Sequence, residues 1–230
     1  MEFGDRAAID AWRRLAGAPR DGRLQVVVDP DSWLAPRGWI GIVAIGDVIT
    51  ASVPSAELRA AVDNALAAVA GEQATDPDLV VPRLTPTIAT LGPAQLFYPS
   101  ASFEPAGEMG DEAAEAELAQ FLAASHPEDL DESGLAHIES PAFVSRSFDG
   151  TVVSACGYRP WPNGVAHLCV LTHLKHRRSQ HGRRAATAAA RHAVAQGLLP
   201  QWRARPVASQ RLALALGFNR MGAQLSVQPA

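Results

Sequence analysis

The sequence predicts an α/β protein in which a mixed, twisted β-sheet is flanked by helices, with a smaller α/β domain at the N-terminus. Runs rich in Val and Ile alternate with alanine-rich stretches of helical period. From residue 94 onward the order is strand, two helices, three strands, then helix, strand, helix and strand. The 230 residues are enough for two domains. We therefore predict one domain over 1–94 and a second over 95–230.

The first domain contains both kinds of element. Its helices have alanine-rich periodic patterns, and its strands consist mainly of Val and Ile. In order, the predicted elements are a helix at 6–16, strands at 23–30 and 39–53, a helix from Ser55 to Gly71 and a polar linker at 72–88.

The second domain is marked by turn and capping signals. Asp-Gly and Asn-Gly pairs at 149–150 and 163–164 favour tight turns between strands, and glycines follow both late helices. In order, the predicted elements are a strand at 94–98, helices at 111–124 and 128–138, a hairpin at 142–161, a strand at 165–173, a helix at 182–196, a strand at 198–204, a helix at 206–216 and a final strand region from 218.

Composition excludes several classes of protein. A chain with 47% hydrophobic and 19% charged residues is typical of a globular protein rather than a disordered one. No apolar run approaches the roughly 18 residues of a membrane span, and the N-terminus lacks the apolar segment of a signal peptide. Two cysteines argue against a disulfide scaffold. We expect a cytoplasmic protein without membrane contact.

Charge is divided unevenly along the chain. Residues 150–230 hold 11 of the 20 Lys and Arg residues and none of the 24 acids. Such a basic half prefers anionic partners, such as phosphates or nucleic acid. The densest part is "HRRSQHGRR" at 176–184, between an apolar run and an alanine-rich run. A strand that leads into a helix exposes free N–H groups, so this turn has the chemistry of a diphosphate site, and a solvated loop is the alternative.

This turn and the end of the chain resemble the GNAT superfamily of N-acetyltransferases. "THLKHRRSQHG" is similar to the family's [Q/R]-x-x-G-x-[G/A] stretch, and "ASQRLALALGF" at 208–218 is similar to its S-x-x-x-A-x-x-L-G-F segment. Arg177 and Gly182 match the first and last positions of the turn, whereas Gln180 replaces the middle glycine. The resemblance covers about 95–230 and implies a GNAT-type sheet. P-loop and dinucleotide-binding fingerprints are absent.

The resemblance implies acetyl-CoA, or another acyl-CoA, as co-substrate for acyl transfer to a primary amine by direct attack. It also implies cofactor-binding residues at the end of the strand before the turn, in the turn, and at the start of the last helix. These are Val170, Leu171, Thr172, Arg177, Arg178, Ser179, Gln180, His181, Gly182, Arg183 and Ser209.

Two residues are the candidates for acid–base catalysis. Acetyl transfer needs a base for the amine proton and an acid for the leaving thiolate. His167 lies near the position where the family often has a glutamate, and its ordinary pKa near 6.5 suits a base. The family's usual tyrosine corresponds to Ala213, so Tyr158 on the neighbouring strand is the predicted acid. Structural roles in the sheet are the alternative for both.

An acidic stretch points to the acceptor. Residues 104–139 contain 11 acids and no Lys or Arg, so we expect a cationic amine, either a small molecule or a peptide, unless these acids form only a solvated face. We expect no metal, because arginines beside His173 and His176 would repel a cation.

Two other functions and the role of the first domain stay open at this point. A protein on the same fold could bind acyl-CoA without catalysis. A nucleic-acid-binding module is the third reading, although residues 150–230 contain few aromatics for base stacking. Residues 1–94 are compatible with a degenerate second acetyltransferase-like half, a lid, or a dimerisation module that would make a homodimer.

Overall fold

A computed structural model describes residues 4–18, 22–84, 86–100, 103 and 108–230. Packing divides these residues into two compact units. One consists of the described residues of Glu2–Tyr98, with Ala204–Val207 and Arg220–Ala230, and the other of those of Pro99–Arg203 with Ala208–Asn219. The two units are defined by spatial contacts, whereas the predicted domains at 1–94 and 95–230 are defined by sequence features. The predicted domain division therefore stays a prediction.

The chain alternates strands and helices. The helices are α1 Asp5–Leu15, α2 Ala56–Ala67, α3 Pro77–Val80, α4 Glu115–Ala123, α5 Pro127–Ser133, α6 His181–Ala195 and α7 Val207–Ala215. The strands are β1 Leu24–Val28, β2 Ile40–Ile45, β3 Val48–Val53, β4 Thr87–Pro99, β5 Asp111–Glu112, β6 Phe143–Arg146, β7 Val152–Trp161, β8 Val165–Thr172, β9 Leu199–Ala204 and β10 Phe218–Pro229. Both parallel and antiparallel pairs occur, which confirms the predicted mixed sheet flanked by helices.

The unit built mainly from the N-terminal part has strands in the order β1, β3, β2, β10, β4. β1 and β3 are parallel, and β2 is antiparallel to both β3 and β10. Ile42, Val53 and Leu66 are fully buried in its core. β2 is buried along its whole length, so its apolar run lacks the alternation of a strand with one solvated face.

The other unit has strands in the order β9, β8, β7, β6, β5. β5 to β8 form an antiparallel series, and β8 continues it in parallel with β9. One face of the sheet packs against α6. The other face packs a cluster that includes Phe121 of α4 and the buried side chains of Ala155, Cys169 and Leu171. This unit contains the basic turn, between β8 and α6.

Three boundaries differ from the sequence prediction. The polar segment at 72–88 contains short helical turns and α3 rather than an irregular linker. The strand predicted at 94–98 belongs to the longer β4. Asp111 and Glu112 form β5 instead of the first turn of a helix, because they pair with Val144 and Phe143 of β6. In that case tertiary pairing overrides the helical pattern of the local sequence. Among the described residues, none of the helices has the length and apolar character that a membrane crossing needs.

Candidate active site

The turn between β8 and α6 ends in a left-handed residue. Gln180 precedes the first helical residue with φ 64° and ψ −5°, and its side chain does not cap the helix. The first backbone hydrogen bond of the helix runs from the Arg184 N–H to the Gln180 carbonyl oxygen, at 3.0 Å. The N–H groups of His181, Gly182 and Arg183 precede that bond and lack intrahelical acceptors. An uncapped helix start of this kind attracts an anion.

Gly182 allows α6 to approach β8 closely. A Cβ at Gly182 would lie 2.9 Å from Thr172 Oγ1 and 3.3 Å from Leu212 Cδ2. The Thr172 hydroxyl is itself held by a 2.8 Å hydrogen bond to the Ser154 hydroxyl. The glycine therefore sets the spacing between the end of the strand and the start of the helix, which fits its match to the last position of the family's turn.

Arg177 ties the turn to its surroundings. Its Nε donates to the Thr172 carbonyl oxygen at 3.1 Å, and its Nη2 forms a 2.8 Å ion pair with Asp129 of α5. Both side chains are about two-fifths exposed, at 41% and 38%, so the pair adds little stability by itself. In this arrangement the Arg177 side chain positions the turn, and its use as a direct anion ligand would require exchange of the Asp129 carboxylate.

Two other arginines of the turn are not paired with any acidic residue that the structure describes. Arg178 and Arg183 form no ion pair with any residue in the described ranges, whereas Arg184 pairs with Glu108 at 2.6 Å. Ser179 is exposed, and His181 Nδ1 lies 2.8 Å from the Ser145 hydroxyl. Burial lowers the pKa of His181, and the nearby charge of Arg184 acts in the same direction, so this histidine adds little positive charge at neutral pH.

β8 and β9 are paired over only part of their length. Their register joins Val165 to Leu199, Ala166 to Pro200 and His167 to Gln201. β8 continues for five further residues, 168–172, to the start of the turn. This diverging segment contains Val170, Leu171 and Thr172, which the resemblance assigns to the cofactor. Its edge toward β9 is therefore where an extended ligand could bind along the strand.

His167 lies at the point where the two strands part. It is in register with Arg159 of β7 and Gln201 of β9, and its ring stacks on Trp161 with 4.7 Å between centroids. Its Nδ1 is buried without a hydrogen-bond partner among the described residues. Burial lowers the pKa of His167 to about 3, and the positive charges of Arg203 and Arg159 act in the same direction. A neutral imidazole of such low pKa is a weak base, and its catalytic role stays a prediction.

The low pKa of His167 makes stability depend on pH. Between pH 6.5 and about 3 the unfolded chain binds a proton at this residue and the folded chain does not. The stability is thus complete above pH 6.5 and is lost as the pH falls toward 3, by at most about 1.4 kcal/mol per pH unit. Denaturant unfolding between pH 6.5 and 4 should show a shallower loss for His167→Gln than for the wild type. Parallel pH profiles would contradict this environment for His167.

Tyr158 lies on the opposite face of the sheet from His167. It is in register with Leu168, the neighbour of His167 on β8, and successive side chains of a strand alternate between faces. Its hydroxyl is 2.9 Å from Nδ1 of His192 on α6, and burial raises its pKa. The structure therefore does not bring the two predicted catalytic residues together, and the role of Tyr158 as the acid stays a prediction.

The last helix places Ser209 against a tryptophan. The indole N–H of Trp202 donates to the Ser209 hydroxyl at 2.9 Å, which anchors the start of α7 to β9. Ala213, at the position of the family's usual tyrosine, is fully buried.

Cys156 and Cys169 are buried free thiols, and burial raises the pKa of Cys169 to about 12, so neither has the thiolate character of a nucleophile.

The predicted acidic stretch is partly neutralised by arginines. Glu108 pairs with Arg184, Glu117 with Arg146, Asp129 with Arg177 and Glu139 with Arg159. Three of these arginines come from the basic part of the chain, so the uneven charge of the sequence partly reflects internal pairing. A cationic acceptor stays an untested expectation. No group of three or more metal-ligating side chains occurs within the described ranges.

Sequence reasoning missed several residues around His167. Trp161, Gln201 and Arg203 were not singled out, because their proximity depends on the register of three strands. The Asp129–Arg177 pair was also missed, since 48 residues separate its members. The sequence signal that could have revealed this cluster is the presence of polar residues, His167 and Gln201, within otherwise apolar strands.

Comparison with known proteins gives the class of this unit. Residues 110–218 match the model of the acetyltransferase (GNAT) family. A GNAT-family acetyltransferase from Colwellia psychrerythraea is 16% identical with a TM-score of 0.50, and the match covers 66% of this chain and 60% of that one. A GNAT-family structure from Novosphingobium aromaticivorans is 18% identical with a TM-score of 0.48, and the match covers 62% of this chain and 65% of that one. The chain thus spans less than two thirds of these structures. No curated protein sequence matches it.

The mixed sheet, the strand-to-helix turn and the family match define an acetyltransferase-type domain. Residues 110–218 form a domain of the GNAT family, as the sequence resemblance predicted.

Proposed function

We propose that the chain is an acyl-CoA-dependent N-acyltransferase that transfers an acetyl group to a primary amine. The observation that carries the proposal is the uncapped start of α6, which follows Gln180 in the left-handed conformation at the family's glycine position. A glutamine in this conformation gives the backbone the left-handed turn that a glycine would give it, so the three leading N–H groups of the helix remain without intrahelical acceptors. The missing glycine is therefore compatible with diphosphate binding.

The residues of the unit fit the parts of an acyl-CoA. The N–H groups of His181, Gly182 and Arg183, with the guanidinium groups of Arg178 and Arg183, suit a diphosphate. The diverging segment, residues 168–172 of β8, suits an extended arm that takes the place of a neighbouring strand. Acetyl-CoA would supply an activated thioester, and the chain would orient it and hold the acceptor amine beside it.

Three observations also favour an acyl-CoA-binding protein without catalysis. Ala213 is buried at the position of the usual acid, the Tyr158 hydroxyl is bonded to His192, and the low pKa of His167 makes it a weak base. In that case acyl-CoA would bind and no amine would be acetylated. Proximity alone contributes a large part of the rate enhancement in such a reaction, so the weak acid and base do not by themselves exclude turnover.

Release of free thiol from acetyl-CoA in the presence of an amine panel separates the two functions. The panel contains polyamines, amino acids, aminoglycosides and peptides with free N-termini, and mass spectrometry identifies any acetylated product. Amine-dependent thiol release with an acetylated product would support the transferase. Binding of acetyl-CoA without acetylation of any amine would favour the non-catalytic protein.

A further inference from the structure

The four arginines of the basic turn, residues 176–184, are of two kinds. Arg177 and Arg184, which we call the outer arginines, each form an ion pair with an acid, at 2.8 Å and 2.6 Å. Arg178 and Arg183, which we call the inner arginines, pair with no acid in the part of the chain that the structure describes. The outer arginines thus have anionic partners before any ligand binds, whereas the inner arginines do not.

Arg177 attaches the beginning of the turn to two other elements. Its Nε donates to the Thr172 carbonyl oxygen at 3.1 Å, and its Nη2 donates to the Asp129 carboxylate. Thr172 is the last residue of β8, and Asp129 lies in the first turn of α5. The side chain therefore fastens the turn to the end of a strand and to the start of a helix.

His173 gives the same part of the turn a further contact with α4. Its Nε2 lies 3.1 Å from the Ser125 hydroxyl, which donates to the Phe121 carbonyl oxygen at 2.8 Å. The His173 ring also stacks on the Phe121 ring, with 4.3 Å between centroids. The beginning of the turn is therefore held by both helices that precede β6.

Arg184 fastens the end of the turn in a similar way. Its guanidinium pairs with Glu108, and its carbonyl oxygen accepts a hydrogen bond from the Gly110 N–H at 3.0 Å. Gly110 immediately precedes β5, so this segment is in turn fixed by the pairing of β5 with β6. Both ends of the basic turn are thus tied to elements that come before it in the sequence.

The turn needs such ties because its backbone is strained. Arg178 has a φ of 63° and Gln180 a φ of 64°, so two residues with side chains adopt the left-handed conformation within three positions. This conformation is unfavourable for residues with a Cβ, and it persists where the surrounding structure holds it. The ion pairs of the outer arginines are partly exposed and add little to overall stability, so their effect is local, on this conformation.

From these contacts we infer that Asp129 and Glu108 are positioning residues for acyl-CoA binding, which act through the outer arginines. They hold the strained turn in the conformation that presents the first N–H groups of α6, while the inner arginines bind the phosphate groups. The inference rests on the proposed function. It assigns two acids of the stretch 104–139 to the donor site, where the sequence led us to expect an acceptor site.

Removal of the Asp129 charge tests the inference through its sign. Asp129→Asn should raise the Kd for acetyl-CoA about threefold in isothermal titration, a change typical of an exposed ion pair. By charge alone, loss of an acid beside an anionic ligand would instead tighten binding. Asp131→Asn is the control, because Asp131 is exposed on the same helix, and its Kd should not rise. The two variants should unfold at the same urea concentration without ligand.

Double-mutant cycles identify the arginine through which Asp129 acts. In an Arg177→Gln background Asp129→Asn should have no further effect on the Kd, because its partner is gone. In an Arg178→Gln background, which itself raises the Kd about tenfold, Asp129→Asn should still cause its threefold increase. Asp129→Glu keeps the carboxylate and should bind acetyl-CoA within about twofold of the wild type.

The second acid provides an independent cycle. Glu108→Gln should also raise the Kd for acetyl-CoA about threefold, and this effect should disappear in an Arg184→Gln background. Because the two acids hold opposite ends of the turn through different arginines, the effects of Glu108→Gln and Asp129→Asn should multiply to about tenfold.

The outcomes separate this inference from the proposed function. Tighter binding by Asp129→Asn would overturn the inference, since Asp129 would then compete with the phosphate for Arg177. Equal effects of Asp129→Asn and Asp131→Asn, or a full effect of Asp129→Asn in the Arg177→Gln background, would also overturn it. All of these results leave the acyl-CoA site intact. Failure of the wild type to bind acetyl-CoA would overturn both the cofactor site and the inference.

Discussion

We expect Gly222→Ala to lower the free energy of unfolding by about 3 kcal/mol or more. A Cβ at this position would lie 1.9 Å from the carbonyl oxygen of Ala44, which belongs to the fully buried strand β2. Because the obstructing atom is backbone within a paired strand, a rotamer change cannot relieve the clash. Urea unfolding of the variant, followed by circular dichroism, measures the loss.

A second glycine variant separates the steric effect from the effect of losing a glycine. Gly164 has φ 79° and nothing within 4 Å of a Cβ placed on it. Gly164→Ala should therefore lose only the cost of a left-handed alanine, about 1–2 kcal/mol. Equal stability of Gly222→Ala and Gly164→Ala would contradict the close approach of β10 to β2.

We expect Gln180→Pro to weaken acetyl-CoA binding by about thirtyfold or more. Proline fixes φ near −65°, whereas residue 180 has a φ of 64°, so the turn must reorganise and the N–H groups that begin α6 no longer converge. Loss of one or two charge-assisted hydrogen bonds accounts for a change of this size. Isothermal titration with acetyl-CoA measures it, and far-UV circular dichroism checks that the variant is folded.

Gln180→Gly is the matched control. Glycine adopts the left-handed conformation without cost, so its Kd for acetyl-CoA should lie within about threefold of the wild-type value. A much tighter complex would mean that the glutamine side chain obstructs the site. Unchanged binding by Gln180→Pro would exclude this turn from the cofactor site.

The fold of the family domain was largely predictable from the sequence, because its signals are local. The turns at 149–150 and 163–164 and the glycine stops of α6 and α7 depend on residues close together in the chain. The turn of Arg177 and Gly182 was also found, since its pattern spans six residues. The strand at Asp111 and Glu112 was missed because it exists only through pairing with β6.

The arrangement of the site could not be predicted to the same extent. His167 and Tyr158 were both selected from neighbouring strands, but the register that places them on opposite faces is a tertiary property. The low pKa of His167 arises from burial and from Arg203, which is 36 residues away in the sequence. The pairing of Arg177 with Asp129 likewise depends on the packing of α5, which the local pattern does not encode.

The central claim is that the turn before α6 binds an acyl-CoA, and thermal unfolding with acetyl-CoA tests it most directly. Ligand at 100 times its Kd stabilises a protein by about 2.7 kcal/mol, which for a chain of this size raises the Tm by about 5–10 °C. We predict such an increase for the wild type and a smaller one for Arg177→Ala, whose turn is no longer tied to Thr172 and Asp129. An unchanged Tm for the wild type at millimolar acetyl-CoA would contradict the claim.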